Sequence, residues 1–227
     1  MLFADIVAAI ARAGFAFRGA FHPGDGDGVP EFAPGIATAT LVLVGNAGPD
    51  MWRNFSRERD PDKDLLDDWS CDRIGALADE IGARALFPFA KPPLPFQRWA
   101  GRAGECHPSP LGIFIHPDYG LWHAYRGALG FAARLILPEP APRPSPCATC
   151  ADKPCLSACP VGAFDGKTYD VPACARHIAS PAGQDCMERG CRARHACPIG
   201  RAYAYDPAQA RFHMRAFLRA RRASGVV

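Results

Sequence analysis

Eight of the ten cysteines in this 227-residue chain lie between Cys147 and Cys197, and two of the eight stand directly before proline. A disulfide framework spreads its cysteines through a small secreted chain. Here they are confined to one stretch, which therefore reads as a set of metal ligands. The first group, in "CATCADKPCLSACPVGAF", has the spacing C-x2-C-x4-C-x3-C-P at Cys147, Cys150, Cys155, Cys159 and Pro160. The second is looser, with Cys174 alone and then C-x4-C-x5-C-P at Cys186, Cys191, Cys197 and Pro198.

A cubane [4Fe-4S] cluster takes four thiolates, and a short loop can wrap three of them around one cluster before the chain leaves. In two-cluster ferredoxins the fourth ligand is the cysteine before proline in the opposite motif. Eight cysteines and two Cys-Pro endings fit that arithmetic. The expected sets are Cys147, Cys150, Cys155 and Cys197 for one cluster, and Cys159, Cys174, Cys186 and Cys191 for the other. Lys153 and Pro154 lengthen the second gap of the first motif by two residues relative to the bacterial run. Two structural zinc sites are the alternative, because zinc also takes four thiolates and C-x2-C occurs in zinc ribbons. Cys71 and Cys106 have no second cysteine nearby and read as small packed thiols.

Upstream, 48% hydrophobic content is enough to fill a core. Residues 3–13 have helical apolar spacing that Gly14 can stop, and "FAFRGAF" and "TATLVLVG" read as strands. Leu65, Leu66, Trp69, Ile74, Leu77 and Ile81 mark one face of a helix with Asp64 as N-cap and Gly82 as its end. "ARALFPF", "LGIFIH" and "GALGFAARLIL" are expected strands, and "PLPFQRWAGRAG" a helix with proline in its first turn. Strands among helices indicate an α/β or α+β layer structure. Five prolines in "LPEPAPRPSP" (137–146) are stiff and extended, and mark a domain boundary. The expected division is an α/β cofactor- or partner-binding domain at 1–140, a ferredoxin-like domain at 141–203, and a basic C-terminal helix at 204–227 with Asp206 as cap and Pro207 in its first turn.

The cysteine-rich part resembles the double [4Fe-4S] module of epoxyqueuosine reductases, which share the four, one, three order of cysteines; reductive dehalogenases carry a related module. In those enzymes the clusters deliver electrons to a cobalamin held by a neighbouring domain of nitroreductase-like fold. A second segment, "IFIHPDYGLWHAYRGALGF" (113–131), looks like the H-P-x-x-G-x-W stretch of the cobalamin-processing CblC family, also nitroreductase-like. The two resemblances together imply a nitroreductase-like sheet-and-helix domain followed by the two-cluster domain. By the second, His116, Pro117, Gly120 and Trp122 would line or shape a corrinoid pocket. Trp122, His123, Tyr125 and Arg126 offer side chains to stack on a macrocycle or meet a phosphate, or else belong to an ordinary core element.

The expected function is single-electron transfer through two clusters to a redox cofactor, a corrinoid first among the candidates. The alternative is a ferredoxin-like carrier or interaction protein without a cofactor of its own. An electron donor protein is implied either way. Arg211, Arg215, Arg219 and Arg222 form a basic stripe at near-helical spacing, a solvated face that also suits an acidic donor or RNA. "VGNAGPDMWRNF" is a glycine-containing strand-to-helix turn, ordinary connection chemistry that can also present N–H groups to a phosphate. Asp5 and Arg12 interrupt the first apolar run and no later run has spanning length, so the expected location is the cytoplasm, without a membrane partner.

Overall fold

The computed structural model of the chain describes residues 2–63, 65–139 and 143–227, so the expected cap at Asp64 and part of the proline stretch lie outside the described residues. The chain divides into two compact units: 1–106 with 123–143, and 107–122 with 144–227.

The first unit opens with α1 (Phe3–Arg12), β1 (Ala16–Phe21), β2 (Thr40–Ala47), α2 (Asp50–Glu58), α3 (Leu66–Ile81), β3 (Arg84–Leu86) and α4 (Phe96–Ala103). The chain then forms the short hairpin β4 (His107–Pro108) and β5 (Phe114–Ile115) of the second unit, and returns as β6 (His123–Phe131). The first unit's sheet has the order β1-β2-β6-β3, and every neighbouring pair is antiparallel. β2 is central and almost wholly buried, so its alternate residues feed two cores. Leu41 and Leu43 join Phe21, Ala128, Phe96 and Trp99, where α4 covers one face. On the other face Val44 pairs with Gly127, which leaves room for Ile74 of α3. Phe15 and Phe55 pack on Trp69 of α3 at ring distances of 5.1 and 5.8 Å. The buried indoles keep their N–H groups satisfied, Trp69 donating to Glu58 and Trp99 to the Asp27 carbonyl, each at 2.8 Å.

The helices stop for local reasons. Gly82 ends α3 in the left-handed region and donates its N–H to Ala78. α4 begins at Phe96, so the prolines precede its first turn and do not occupy it. Two strand expectations shift. "LGIFIH" contributes only Phe114–Ile115, and β6 starts at His123 and ends at Phe131, short of Leu137. Beyond Phe131 the chain is held by side chains: Thr40 donates through Oγ1 to the Ala133 carbonyl and accepts from Leu135 N, each at 2.9 Å. Ile136 is exposed.

The second unit adds α5 (Pro154–Ser157), α6 (Val171–Ile178), α7 (Gln184–Arg189), α8 (Arg192–Ala196) and α9 (Pro207–Ala223). Asp170 caps α6 by accepting from Ala173 N at 2.8 Å, and Asp206 caps α9 by accepting from Gln209 N at 2.9 Å. Its core is built largely on cysteine. Cys155 and Cys197 lie buried with Leu111, Ile115, Leu121 and Phe164, and Cys186 with Ile178 and Leu218 of α9. No helix among the described residues is long and apolar enough to cross a membrane.

Candidate metal centres

All ten cysteines are free thiols. In the second unit eight of them form the walls of two cavities. Cys147, Cys150, Cys155 and Cys197 line one, with Pro110, Ile115 and Ile199 completing its apolar wall. Cys159, Cys174, Cys186 and Cys191 line the other, closed by Phe164, Ile178 and Met214. Each is a small cavity of about 20 Å3. The structure thus gathers the eight cysteines as four and four, with each cysteine that precedes proline in the set of the opposite motif.

Short helices do the gathering. α5 begins at Pro154 and places Cys155 in its first turn, and the residue before it, Lys153, is a non-glycine residue in the left-handed region (φ 39°). The Lys153-Pro154 pair is therefore a turn that starts a helix. α6 carries Cys174 and α7 carries Cys186, while Cys191 and Cys197 bracket α8 at its two caps.

Burial pushes the thiols of Cys147, Cys155, Cys174, Cys186 and Cys197 up from their ordinary range, and that of Cys191 to about 11. At Cys147 the neighbouring Cys197, Cys155 and Cys150 push further in the same direction. Donors aimed at the sulfurs oppose burial. The Ala163 amide donates to Cys159 Sγ at 3.3 Å. Backbone N–H groups of Arg192, of Ala193 and Arg194, and of Ile199 favour the thiolates of Cys186, Cys191 and Cys197 respectively. The Tyr169 hydroxyl donates to Cys174, its ring stacked on Phe164 at 4.5 Å. Thiolates buried with donors but without a cation are costly, so this donor set suits a positively charged centre. Among the described residues, no group of three or more Cys, His, Asp or Glu is placed to hold a single metal ion.

The residues of the H-P-x-x-G-x-W stretch also lie in the second unit. His116 and Gly120 form a tight bridge, N–H to carbonyl in both directions at 2.8 and 2.9 Å. His116 Nδ1 accepts from the amides of Asp118 and Tyr119 at 3.0 and 3.3 Å, and its ring stacks on Tyr119 at 4.3 Å. Pro117 begins this turn. Gly120 has φ +57°, and a Cβ there would lie 2.1 Å from the Ile199 carbonyl oxygen; Gly200 answers with a Cβ position 2.3 Å from Tyr119. The two glycines thus let the turn touch the chain that leaves Cys197. Trp122 is buried against His195 and Tyr205, and the Arg194 guanidinium sits 4.4 Å from both Trp122 and Tyr205 while donating to the Leu121 carbonyl. Arg126 belongs to the first unit, on β6, where it donates to Ser70 Oγ and the Leu66 carbonyl and pairs with Asp67.

Two features escaped the sequence reading. Tyr169 has no motif that would attach it to Cys174. In the first unit Cys106 is buried in a polar cluster, 3.8 Å from Arg18, 3.4 Å from the Tyr125 hydroxyl and 3.9 Å from His123 Nε2. Burial pushes its thiol up, against the hydrogen bond from Tyr125 and the charge of Arg18. Of the basic stripe on α9, Arg211 is paired with Glu188 at 2.9 Å.

No family model and no curated protein matches this chain. Among solved structures it is similar to epoxyqueuosine reductase in complex with a modified tRNA stem loop, with a TM-score of 0.51, 12% identity, and coverage of 91% of this chain and 68% of that one. It is similar to epoxyqueuosine reductase from Bacillus subtilis, with a TM-score of 0.50, 13% identity, and coverage of 91% and 69%. A B12-trafficking protein CblC from C. elegans aligns with a TM-score of 0.48, 14% identity, and coverage of 95% and 97%. At these identities the likeness is one of architecture: the chain has a mixed helix-and-sheet fold similar to that of the epoxyqueuosine reductases.

Proposed function

We propose that this chain is a two-cluster iron–sulfur protein that passes single electrons to a redox cofactor, with a corrinoid as the recipient. The observation that carries the reading is the pair of cavities, each walled by four cysteine sulfurs drawn from both motifs. The interleaving favours iron over zinc, because each Cys-Pro cysteine lines the cavity of the opposite motif, as in two-cluster ferredoxins. When bound, a [4Fe-4S] cluster supplies a centre that takes up and releases one electron.

The chain's own residues have three tasks in this reading. The eight thiolates hold the centres. Amide N–H groups and the Tyr169 hydroxyl donate to the sulfurs, which stabilises added negative charge and tunes the potential. Ile115, Phe164, Ile178 and Met214 keep water from the sulfurs.

The corrinoid rests on the resemblance of the cysteine module and of the His116–Trp122 stretch, with His116, Pro117, Gly120 and Trp122 as the residues that would shape its site. A specific observation favours the second reading, a carrier with no cofactor of its own: the His116 and Trp122 side chains are buried, one capping its own turn and the other packed beneath Arg194. One experiment separates the readings. Cob(II)alamin is titrated into anaerobically reconstituted protein and followed by electron paramagnetic resonance, with iron and sulfide counted in the same sample. A base-off cobalt signal that is lost in His116→Ala or Trp122→Ala supports the corrinoid. An unchanged cobalt signal over intact, reducible clusters leaves the carrier. Stoichiometric zinc without sulfide overturns both.

A further inference from the structure

A further cavity is not lined by cysteine. It is an open groove of about 980 Å3, and its lining residues all lie within the second unit. Asp185, Glu188, Arg189, Arg192, His195 and Arg211 give it its polar character. Its lining overlaps that of the second cysteine cavity. Arg192 lines both the groove and the cavity of Cys159, Cys174, Cys186 and Cys191, and the groove residues Ala158 and Gly190 immediately precede Cys159 and Cys191.

The charges at this mouth are arranged for exchange. Arg192 and Arg189 share Asp185 at 2.9 and 3.6 Å, and Arg211 takes Glu188 at 2.9 Å. These pairs are half-exposed, and such pairs contribute little to stability. A partner's carboxylates can replace Asp185 and Glu188 at small cost. The surrounding charge has the same sign. Residues 107–122 and 144–227 carry 12 Lys and Arg against 7 Asp and Glu, whereas the rest of the chain carries 14 against 16. The net charge of +3 therefore hides a basic cysteine unit and a slightly acidic sheet unit.

We infer that this groove is the docking site of an acidic, single-electron donor protein, which delivers its electron to the centre held by Cys159, Cys174, Cys186 and Cys191. The inference rests on the two-cluster reading and names its electron entry. One electron leaves the donor's reduced centre and one arrives at the cluster, with no bond made or broken. Adjacency to the sulfurs shortens the transfer path, and the arginines draw an acidic surface in by steering that salt screens. RNA would also meet a basic surface. The protein donor is favoured because the groove shares Arg192 with a cysteine cavity, a placement that matters for electron entry and not for phosphate binding.

The test uses the full chain with its clusters loaded and its iron and sulfide counted. Cluster reduction is followed by stopped flow with two donors: a reduced acidic plant-type ferredoxin, and the neutral deazaflavin radical as a small donor that needs no docking. The ferredoxin rate should fall with added salt, and should fall about tenfold or more in the double variant Arg189→Glu with Arg211→Glu. Glu188→Gln, which removes one negative charge from the groove, should raise it. Deazaflavin rates should stay within about twofold in all three proteins, because steering does not act on a neutral donor. Unchanged ferredoxin rates over loaded clusters overturn the docking site and leave the two-cluster reading standing. Equal losses with both donors overturn it as well, by showing a structural role. Weakened binding of an RNA stem loop in the double variant, with ferredoxin rates unmoved, assigns the groove to RNA instead. Protein that takes up no iron and sulfide fails at the earlier step, the proposed function itself.

Discussion

The contact between Gly120 and Gly200 lends itself to a substitution whose cost divides into two parts. Gly120→Ala places a Cβ at φ +57° and 2.1 Å from the Ile199 carbonyl oxygen. The left-handed conformation costs a non-glycine residue about 1–2 kcal/mol. Ordinary contact begins at 3.4 Å, so the carbonyl must retreat by about 1.3 Å, and overpacking of that kind adds about 1–3 kcal/mol. Gly112→Ala is the internal control: it has φ +72° and nothing within 4 Å of the new Cβ, so it carries the backbone part alone. The two variants should differ by about 1–3 kcal/mol, or roughly 2–12 °C in Tm for a chain of this size. Ile199 lies two residues past Cys197, so on the proposed two-cluster reading Gly120→Ala should also lose iron from the set of Cys147, Cys150, Cys155 and Cys197, while Gly112→Ala keeps it. The assay is thermal unfolding of anaerobically held protein with iron counted per chain. If Gly120→Ala melts with Gly112→Ala and retains full iron, the backbone contact does not hold the His116–Gly120 turn against the Cys197 segment.

Three further outcomes can be measured. Tyr169→Phe removes the hydroxyl that donates to Cys174 and should lower the reduction potential of one centre while leaving the other in place, as read by a redox titration; two unmoved potentials would remove Tyr169 from the site. Arg194→Met keeps the aliphatic stem but loses the cation over Trp122 and Tyr205 and the donor to Leu121, and should cost about 1–3 kcal/mol in urea unfolding. Asp165 accepts from the amides of Thr168 and Lys167, which hold its carboxyl at about 2. A folded-state value below the unfolded one of about 3.9 stabilises the turn above about pH 4, and that contribution is lost as pH falls toward 2. A carbon-detected NMR titration with a midpoint near 4 would show that the turn does not form.

The long elements were legible because their apolar residues repeat over many positions. α3 shows its face from Leu66 to Leu77 and its end at Gly82, and α9 announces its start with Asp206-Pro207. The start of β6 was not legible, because His123, Tyr125 and Arg126 are polar or amphipathic and their burial comes from distant partners such as Ser70 and Cys106. α5, α7 and α8 have 4–6 residues each, too short for a helical period to register. The Cys-Pro endings suggest that the two motifs share cysteines between two sites, and the cavities bring those cysteines together. Tyr169 was not, since only the fold of the Phe164–Tyr169 turn brings its hydroxyl to Cys174. The same holds for Arg18 and Cys106, which meet across 88 residues.

The chain crosses between its two units three times, after Cys106, after Trp122 and after Arg143. A ferredoxin appended to a sheet domain would cross once, and a single cut would release it whole. Here a cut in the proline stretch parts the Gly200 segment from the Gly120 turn it touches, and takes from the sheet's owner nothing that it can spare cleanly: the piece ending there still carries His107–Trp122, now without the core of Leu111, Ile115 and Leu121 with Phe164 and Cys197. The two units are interleaved in chain order. Recombination at one point cannot exchange the cysteine part for that of another protein, and a graft that transfers it intact must carry the 107–122 insertion as a second piece.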